Sequence, residues 1–422
     1  MQLTSAPDSV RGRTSPAWSW TDHPVTAAVI AFLAWLGYAL ARYVVWAKGH
    51  LSAFVVAGYG PYGHTHWGQL PHGLFIGYTN RTGYAGYDGQ FYYRLALNPF
   101  NWSKTAYGIT MDQNYRYTRI GYPFLTWLLS FGQHNLVPIA LVAVNLAGVA
   151  AMAFLGALFA RDSGRHALWG LAFAAYFGLA ISVGRDTAEP LAEAMMLAGL
   201  LAYRRQRWGW SAAAFAYGAI TRETVLFAPA AIAVVRLISF ARRKARPGLP
   251  DLCWLVPAVG YGFMQVIGKL VVGGQSGIAA DSGRNLSAPF APMLRSIRQA
   301  IGAIDTSHLG VADIALLEWA TLAVFVVAGF AVILVTTAPV HERIAFVFFV
   351  LEVCLASDQI WQKLYPGGNF GDGRSFIEPF LLALILLLAT PRRYLNSYRL
   401  GVIAAAALPA LAVVARRRIL YM

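Results

Sequence analysis

The sequence predicts an all-α polytopic membrane protein, and three observations carry that reading. Of its 422 residues, 57% are hydrophobic and only 13% charged, about half the charged share of a soluble domain. The mean hydropathy is +0.50. The apolar residues are gathered into long runs, which suits a chain dissolved in a bilayer, where a helix satisfies its own backbone polar groups.

The elements follow in order. Residues 1–23 are polar, carry Arg11 and Arg13, and read as a cytoplasmic tail; residues 24–422 read as a single integral membrane domain. The first apolar run, Pro24–Ala47, is long enough to span and lacks a convincing cleavage site, so it reads as a retained anchor. Candidate spans follow at Asn135–Ala160, Ala167–Gly184, Ala188–Tyr203, Trp210–Ile220, Thr224–Phe240 and Leu252–Val272. Ile314–Ala338, Ile344–Ser357, Phe376–Thr390 and Gly401–Ala415 complete the series, within an expected 10–12 helices. Several fall short of the roughly 20 residues an upright helix needs. Their ends extend into flanking polar residues, or some helices are broken and enclosed by protein.

The net charge of +15 would suggest nucleic acid in a soluble protein, but its distribution excludes that class. Arg204, Arg205 and Arg207, then Arg242, Arg243, Lys244 and Arg246, then Arg392 and Arg393 all fall in short breaks between apolar runs. Short basic loops mark the cytoplasmic side, and alternating crossings put these three on one side. Arg416, Arg417 and Arg418 would then lie outside, unless Tyr122–Gln133 also spans or the last segment does not cross. Cys253 and Cys354 sit in apolar stretches and imply neither a disulfide framework nor a metal cluster.

The opposite side receives the long connections, at about 48–119, 273–313 and 358–374. A connection of about 70 residues is rarely passive, and the first is rich in Tyr, Trp, Gly and His rather than Ser, Glu and Lys. Asp88, Asp112, Asp186, Glu189, Asp281, Asp305, Asp313, Asp358 and Asp372 all fall at or beyond the external ends of spans. Chemistry is therefore expected on the external side.

The stretch GYDGQFYYRLALNP, Gly86–Pro99, concentrates the interest. Tyr84, Asp88, Phe91, Tyr92 and Leu95 share one face at helical spacing, and Asn98–Pro99 supplies a stop. Asp88 is either a cap for the helix that begins at Gly89 or a reactive carboxylate, or both. A cap would tolerate Asn almost as well as Asp.

That segment, YDGQFYYRLALNPF, resembles the W-D-G-x-x-Y-x-x-I-A-x-x-G-Y pattern of the mannosyltransferases of GPI-anchor assembly and their bacterial relatives, members of the GT-C class of membrane glycosyltransferases. Asp88, Gly89, Tyr92, Leu95 and Ala96 match; Tyr87 stands for Trp, and Pro99–Phe100 replace the trailing Gly-Tyr. The motif covers roughly fifteen residues, while the arrangement of one helix followed by a large external loop with short helices extends the likeness. The resemblance implies a GT-C-like bundle in which Asp88 is the catalytic base. It implies a sugar donor carried on a polyprenyl phosphate, a glycan or lipid acceptor, and a site facing outward from a bacterial inner (cytoplasmic) membrane. The lipid phosphate that leaves would need cationic donors, for which arginine is suited.

Arg116 and Arg119, in NYRYTRIGYP, stand where the chain returns to the membrane; snorkelling to headgroups is their alternative, and the reading preferred for Arg94. RDTAEP (Arg185–Pro190) and RSFIEP (Arg374–Pro379) both read Arg-x-x-x-Glu-Pro at the mouth of an apolar helix. They are either internally paired helix starts or, with Arg222, the lining of a polar cavity. Arg116, Arg119, Arg185, Glu189, Arg222, Arg374 and Tyr92 are the substrate-binding candidates. His64 and His66, with His72, lack further ligands at familiar spacing; no metal is assigned, although a divalent ion assisting Asp88 stays open. The rival reading is a secondary transporter or lipid flippase relaying through Glu193, Glu318, Glu352 and Glu378; a non-catalytic scaffold is a third.

Overall fold

The computed structural model of the chain describes residues 20–58, 74, 86–111, 113–272, 286–304, 311–362 and 372–420. His64, His66, His72, Tyr84, Asp112, Asp281 and Asp305 lie outside those residues. The described chain is all-α apart from one short antiparallel hairpin, β1 (Thr105–Ala106) with β2 (Ile109–Thr110).

The helices run α1 (Pro24–Val45), α2 (Gly89–Leu97), α3 (Gly121–Leu129), α4 (Val137–Asp162), α5 (Gly178–Gly184), α6 (Glu189–Arg204), α7 (Trp208–Thr221) and α8 (Phe227–Ala241). Then come α9 (Leu252–Val272), α10 (Ala291–Gly302), α11 (Val311–Val332), α12 (Val340–Leu355), α13 (Asp358–Gln362), α14 (Ile377–Leu388), α15 (Ser397–Ala405) and α16 (Leu408–Leu420). Among the described residues, six stretches are long and apolar enough to cross a membrane: Pro24–Val45, His134–Asp162, Glu223–Ala241, Leu249–Val271, Asp313–Val332 and Ser397–Leu420. Ala167–Ala174 and α5 make a seventh if counted as one span broken by a 68° bend. The sequence reads Ala167–Gly184 as one candidate span and leaves open that the shorter spans are broken; the break falls here, at residues 175–177.

The shorter segments have a physical explanation. All twelve residues of α14 are buried, as are most of α6. A helix wrapped in other helices need not match the hydrocarbon thickness, because protein rather than lipid meets its ends. The long helices, by contrast, turn apolar side chains outward. On α1, Val25, Val29, Leu33, Leu40 and Val44 form an exposed stripe, the pattern of a lipid-facing wall.

Contacts sort the segment ends onto two faces of the bundle. At one face, Asp22 accepts from the amide of Ala167 at 2.7 Å, and Arg205 pairs with Asp162 at 3.0 Å. There too Arg204 pairs with Glu342, and Arg165 donates to the carbonyls of Leu388, Thr390 and Leu395. Two of the basic loops expected to share one side meet at this face, Arg392 donating to the Gly164 carbonyl at 2.9 Å. At the other face Arg42 donates to the carbonyls of Gly184 and Arg418. The end of α16 thus lies with the end of α1, and α3, only nine residues long, folds back on α4 through Tyr122 and Leu141.

Candidate active site

At the second face four breaks in the helices converge. Gly86, at φ 78°, turns the chain into Tyr87–Asp88, where a Cβ would meet the Gly58 amide at 2.5 Å. Gly89 then lets α2 press against two other strands of backbone. A Cβ at position 89 would lie 2.4 Å from the Arg185 carbonyl oxygen and 2.8 Å from that of Val55. Neither atom can rotate away. Gly89→Ala is therefore expected to lift Asp88 by about an ångström, costing roughly a hundredfold in turnover with a lowered Tm; wild-type turnover in that variant would refute the packing argument.

Asp88 does not cap α2. It has helical backbone angles, and its side chain accepts no cap hydrogen bond. Instead Arg116 Nη1 donates to Asp88 Oδ1 at 2.9 Å, and Arg374 Nη2 donates to Oδ2. Burial alone would raise the Asp88 carboxyl, but the charges of Arg116, Arg374 and Arg119 outweigh it and hold the group well below the usual carboxylate range. About a fifth of the side chain remains exposed, against a tenth or less for Arg116, Arg374 and Glu189.

Arg374 is the hub. Its Nε donates to the Tyr87 hydroxyl at 2.8 Å, and Nη1 donates to Glu189. Glu189 also accepts from Ser182 at 3.0 Å and from Thr187. Arg222 follows, 3.6 Å from Glu189 and 3.7 Å from Glu378, and Thr224 donates to Glu378 at 2.6 Å. The result is an alternating series, Arg116–Asp88–Arg374–Glu189–Arg222–Glu378, in which each buried charge has opposite neighbours.

The two Arg-x-x-x-Glu-Pro repeats do not pair internally, as the helix-start reading would have it. They are crossed: Arg374 of the second holds Glu189 of the first, and Glu378 belongs to Arg222. Arg119 grips Glu223 through two donors, one at 2.8 Å, and lies over the Tyr115 ring at 4.6 Å. Arg116 lies over Phe91 at 4.0 Å. Neither snorkels. Nor does Arg94, which is buried and donates to the Ser103 carbonyl beside the Tyr117 ring. Tyr92 packs edge-on against Tyr122 at 5.5 Å, and burial pushes its hydroxyl up to about 12.

Arg185 differs from the other candidates. Its guanidinium lies over the Tyr87 ring at 4.2 Å, with that of Arg374 at 5.1 Å from the same ring, and among the described residues no carboxylate is within ion-pairing distance. The sequence reading passed over three contributors. Tyr87 registered only as a departure from Trp, Arg42 as part of a span, and Arg418 as a topological anomaly. No family model matches the chain, and no curated protein or solved structure matches it either.

Proposed function

We propose that the chain is a membrane glycosyltransferase of GT-C type, moving a sugar from a polyprenyl phosphate to an acceptor hydroxyl at the outward face. The observation that supports this reading is Asp88 itself: an ionised carboxylate, unused as a cap, flanked by arginines and still open on one side. A carboxylate offers about four lone-pair sites, and the two arginines take two. An acceptor O–H can donate to the rest. Its proton passes to Asp88 as the oxygen forms a bond to the anomeric carbon. The bond from that carbon to the phosphate oxygen breaks with inversion, and the electron pair leaves with the lipid phosphate. Arg374, bonded to both Asp88 and Tyr87, and Arg185, over the Tyr87 ring, would meet that growing negative charge.

Asp88 is a weak base while both arginines hold it. As Arg374 turns toward the departing phosphate, the proton affinity of Asp88 rises, which brings it nearer the useful range for base catalysis. The pH dependence tests this. A depressed carboxyl contributes stability fully above its unfolded value of about 3.9, and that stability is lost only as pH falls further. Between pH 5 and 8 the free protein is expected to show no acid limb in kcat/KM, whereas kcat, which reports the loaded complex, acquires one. An acid limb near pH 5 in kcat/KM would count against the arginine clamp.

One observation favours the transporter reading. Glu189, Glu193, Glu352 and Glu378 surround Arg222, and Glu193 is fully buried with neither carboxylate oxygen hydrogen-bonded. The deciding assay supplies vesicle-reconstituted protein with a panel of polyprenyl-phosphate sugars and follows both transfer and flux. Transfer that requires Asp88 supports the enzyme; flux without transfer supports the alternative.

A further inference from the structure

Helix α10 belongs to none of the crossings and contributes nothing to the charged series around Asp88. It is nevertheless held at the same face. The amides of Ser287 and Phe290 donate to the carbonyls of Leu355 and Cys354, both at 2.8 Å, where α12 ends. Ser296 donates to the Trp361 carbonyl at 3.2 Å, and Arg295 pairs with Asp358 at 2.6 Å. Trp361 in turn stacks on Phe376, two residues from Arg374, with ring centroids 4.5 Å apart. Pro292, Ser296 and Ala300, spaced four apart, form the buried face of the helix.

The rest of its surface divides in two. Phe290, Leu294 and Ile301 follow at intervals of four and seven residues, which sets them on one stripe, and each is about half exposed. Phe290 holds φ 63°, where glycine would be less strained, yet the chain places an aromatic ring there. Arg295, Gln299 and Gly302 form a second exposed arc, which is polar. Arg298 stands between the two, one turn beyond Leu294. It is exposed, and among the described residues no carboxylate is within ion-pairing distance of it. Water solvates such an apolar stripe poorly. A bilayer surface takes it in, with a basic residue at the edge of the stripe reaching the headgroups.

We propose that α10 lies in the leaflet on the Asp88 side, with Phe290, Leu294 and Ile301 among the acyl chains and Arg298 on a phospholipid phosphate. Position selects lipid over a protein partner. Helix α12 begins at the opposite face, where Glu342 pairs with Arg204, and ends where α10 is attached. The stripe therefore sits at the depth at which a crossing helix leaves the hydrocarbon, and Leu351, about one turn before Cys354 on α12, is exposed as well. Charge selects the phosphate. Asp358 already neutralises Arg295, which leaves Arg298 as the cation at the edge of the stripe, and guanidinium geometry matches phosphate oxygens in pairs. Through Trp361 and Phe376 the segment that bears Arg374 then rests on a helix seated in the membrane surface. A transferase and a transporter would make this contact with lipid alike.

The test places nitroxide labels on the full-length protein in phosphatidylglycerol nanodiscs, one at a time, at Leu294→Cys, Ile301→Cys and Gln299→Cys. The native Cys253 and Cys354 are buried and stay in place. Relaxation by oxygen, which partitions into lipid, is compared with relaxation by a water-soluble nickel chelate. The labels at 294 and 301 are expected to favour oxygen about fivefold more than the label at 299, as an interfacial helix with one face in the acyl region requires. Equal ratios at all three positions would overturn the proposal, because the stripe would then meet water. Labels at 294 and 301 reached by neither reagent would overturn it too, because protein would cover the stripe. Adding Arg298→Glu is expected to cut the oxygen preference at 294 about twofold, since the phosphate surface then repels the helix edge. In dodecyl maltoside micelles, which carry no phosphate, Arg298→Glu is expected to change neither that ratio nor the Tm. An unaltered ratio in nanodiscs, an equal fall in maltoside or a lowered Tm there would each remove the phosphate contact.

Discussion

Asp88→Asn is expected to lower sugar transfer by about two to four orders of magnitude, the range spanned by a positioned base, and to lower the Tm as well. The second effect follows from the clamp. Asparagine keeps the shape and can accept from Arg116 or Arg374, but it removes the one carboxylate on which both guanidinium groups converge. Two largely buried cations then lose their shared counter-charge. Breaking a buried pair costs about 3–5 kcal/mol, reduced here because a fifth of Asp88 meets solvent. Were Asp88 a simple cap, Asn would serve and both readouts would stay near wild type. Transfer at wild-type rate in Asp88→Asn would end the proposed function, and vesicle flux surviving in the same variant would favour the transporter.

Arg374→Gln is the second large effect. Three of its donors go to three different partners, Tyr87, Asp88 and Glu189. Glutamine reaches at most one of them. Glu189 keeps Arg222 only at 3.6 Å, and Asp88 keeps Arg116. The loss is expected at about 3–5 kcal/mol of stability together with at least a hundredfold fall in kcat, as Tyr87 and Asp88 lose their common anchor. The carboxyl of Asp88 should at the same time rise, so the acid limb of kcat/KM moves toward neutrality. A variant with lowered Tm but an unmoved pH profile would mean that Arg374 is structural alone. Arg374→Lys restores charge without the fork and is expected to recover stability more than turnover.

What could be read from the chain, and what could not, divides along sequence separation. The spans were legible because apolar runs are local, and Asp88 was legible because an acid beside Gly89 in an aromatic loop is a local anomaly. Gly89 was legible only as a motif position at the start of a helix; that the Arg185 and Val55 carbonyls press against it was not. The repeated Arg-x-x-x-Glu-Pro drew attention to Arg185, Glu189 and Arg374. Its local geometry suggested partners four residues apart, and the fold instead chose partners 185 residues apart. Arg42 looked like any residue near a span end, because nothing local tells a buried guanidinium from a snorkelling one. Arg418 looked like a topology signal, because a run of three arginines usually is one. The bend at residues 175–177 left no mark either: Ala175, Tyr176 and Phe177 suit an unbroken helix.

The crossed pairing also sets a schedule for biogenesis. A membrane chain is threaded into the bilayer from its N-terminus as it is made, at about 5–20 residues per second. When Asp88 and Glu189 have already emerged, the guanidinium that clamps both has yet to be made, since Arg374 lies 185 residues beyond Glu189. The nascent protein thus passes through a stage in which Asp88 and Glu189 lack the arginine they share, and competence waits on the synthesis of Arg374. Chains cut short before residue 374 should insert, yet turn over faster in the cell than the finished product.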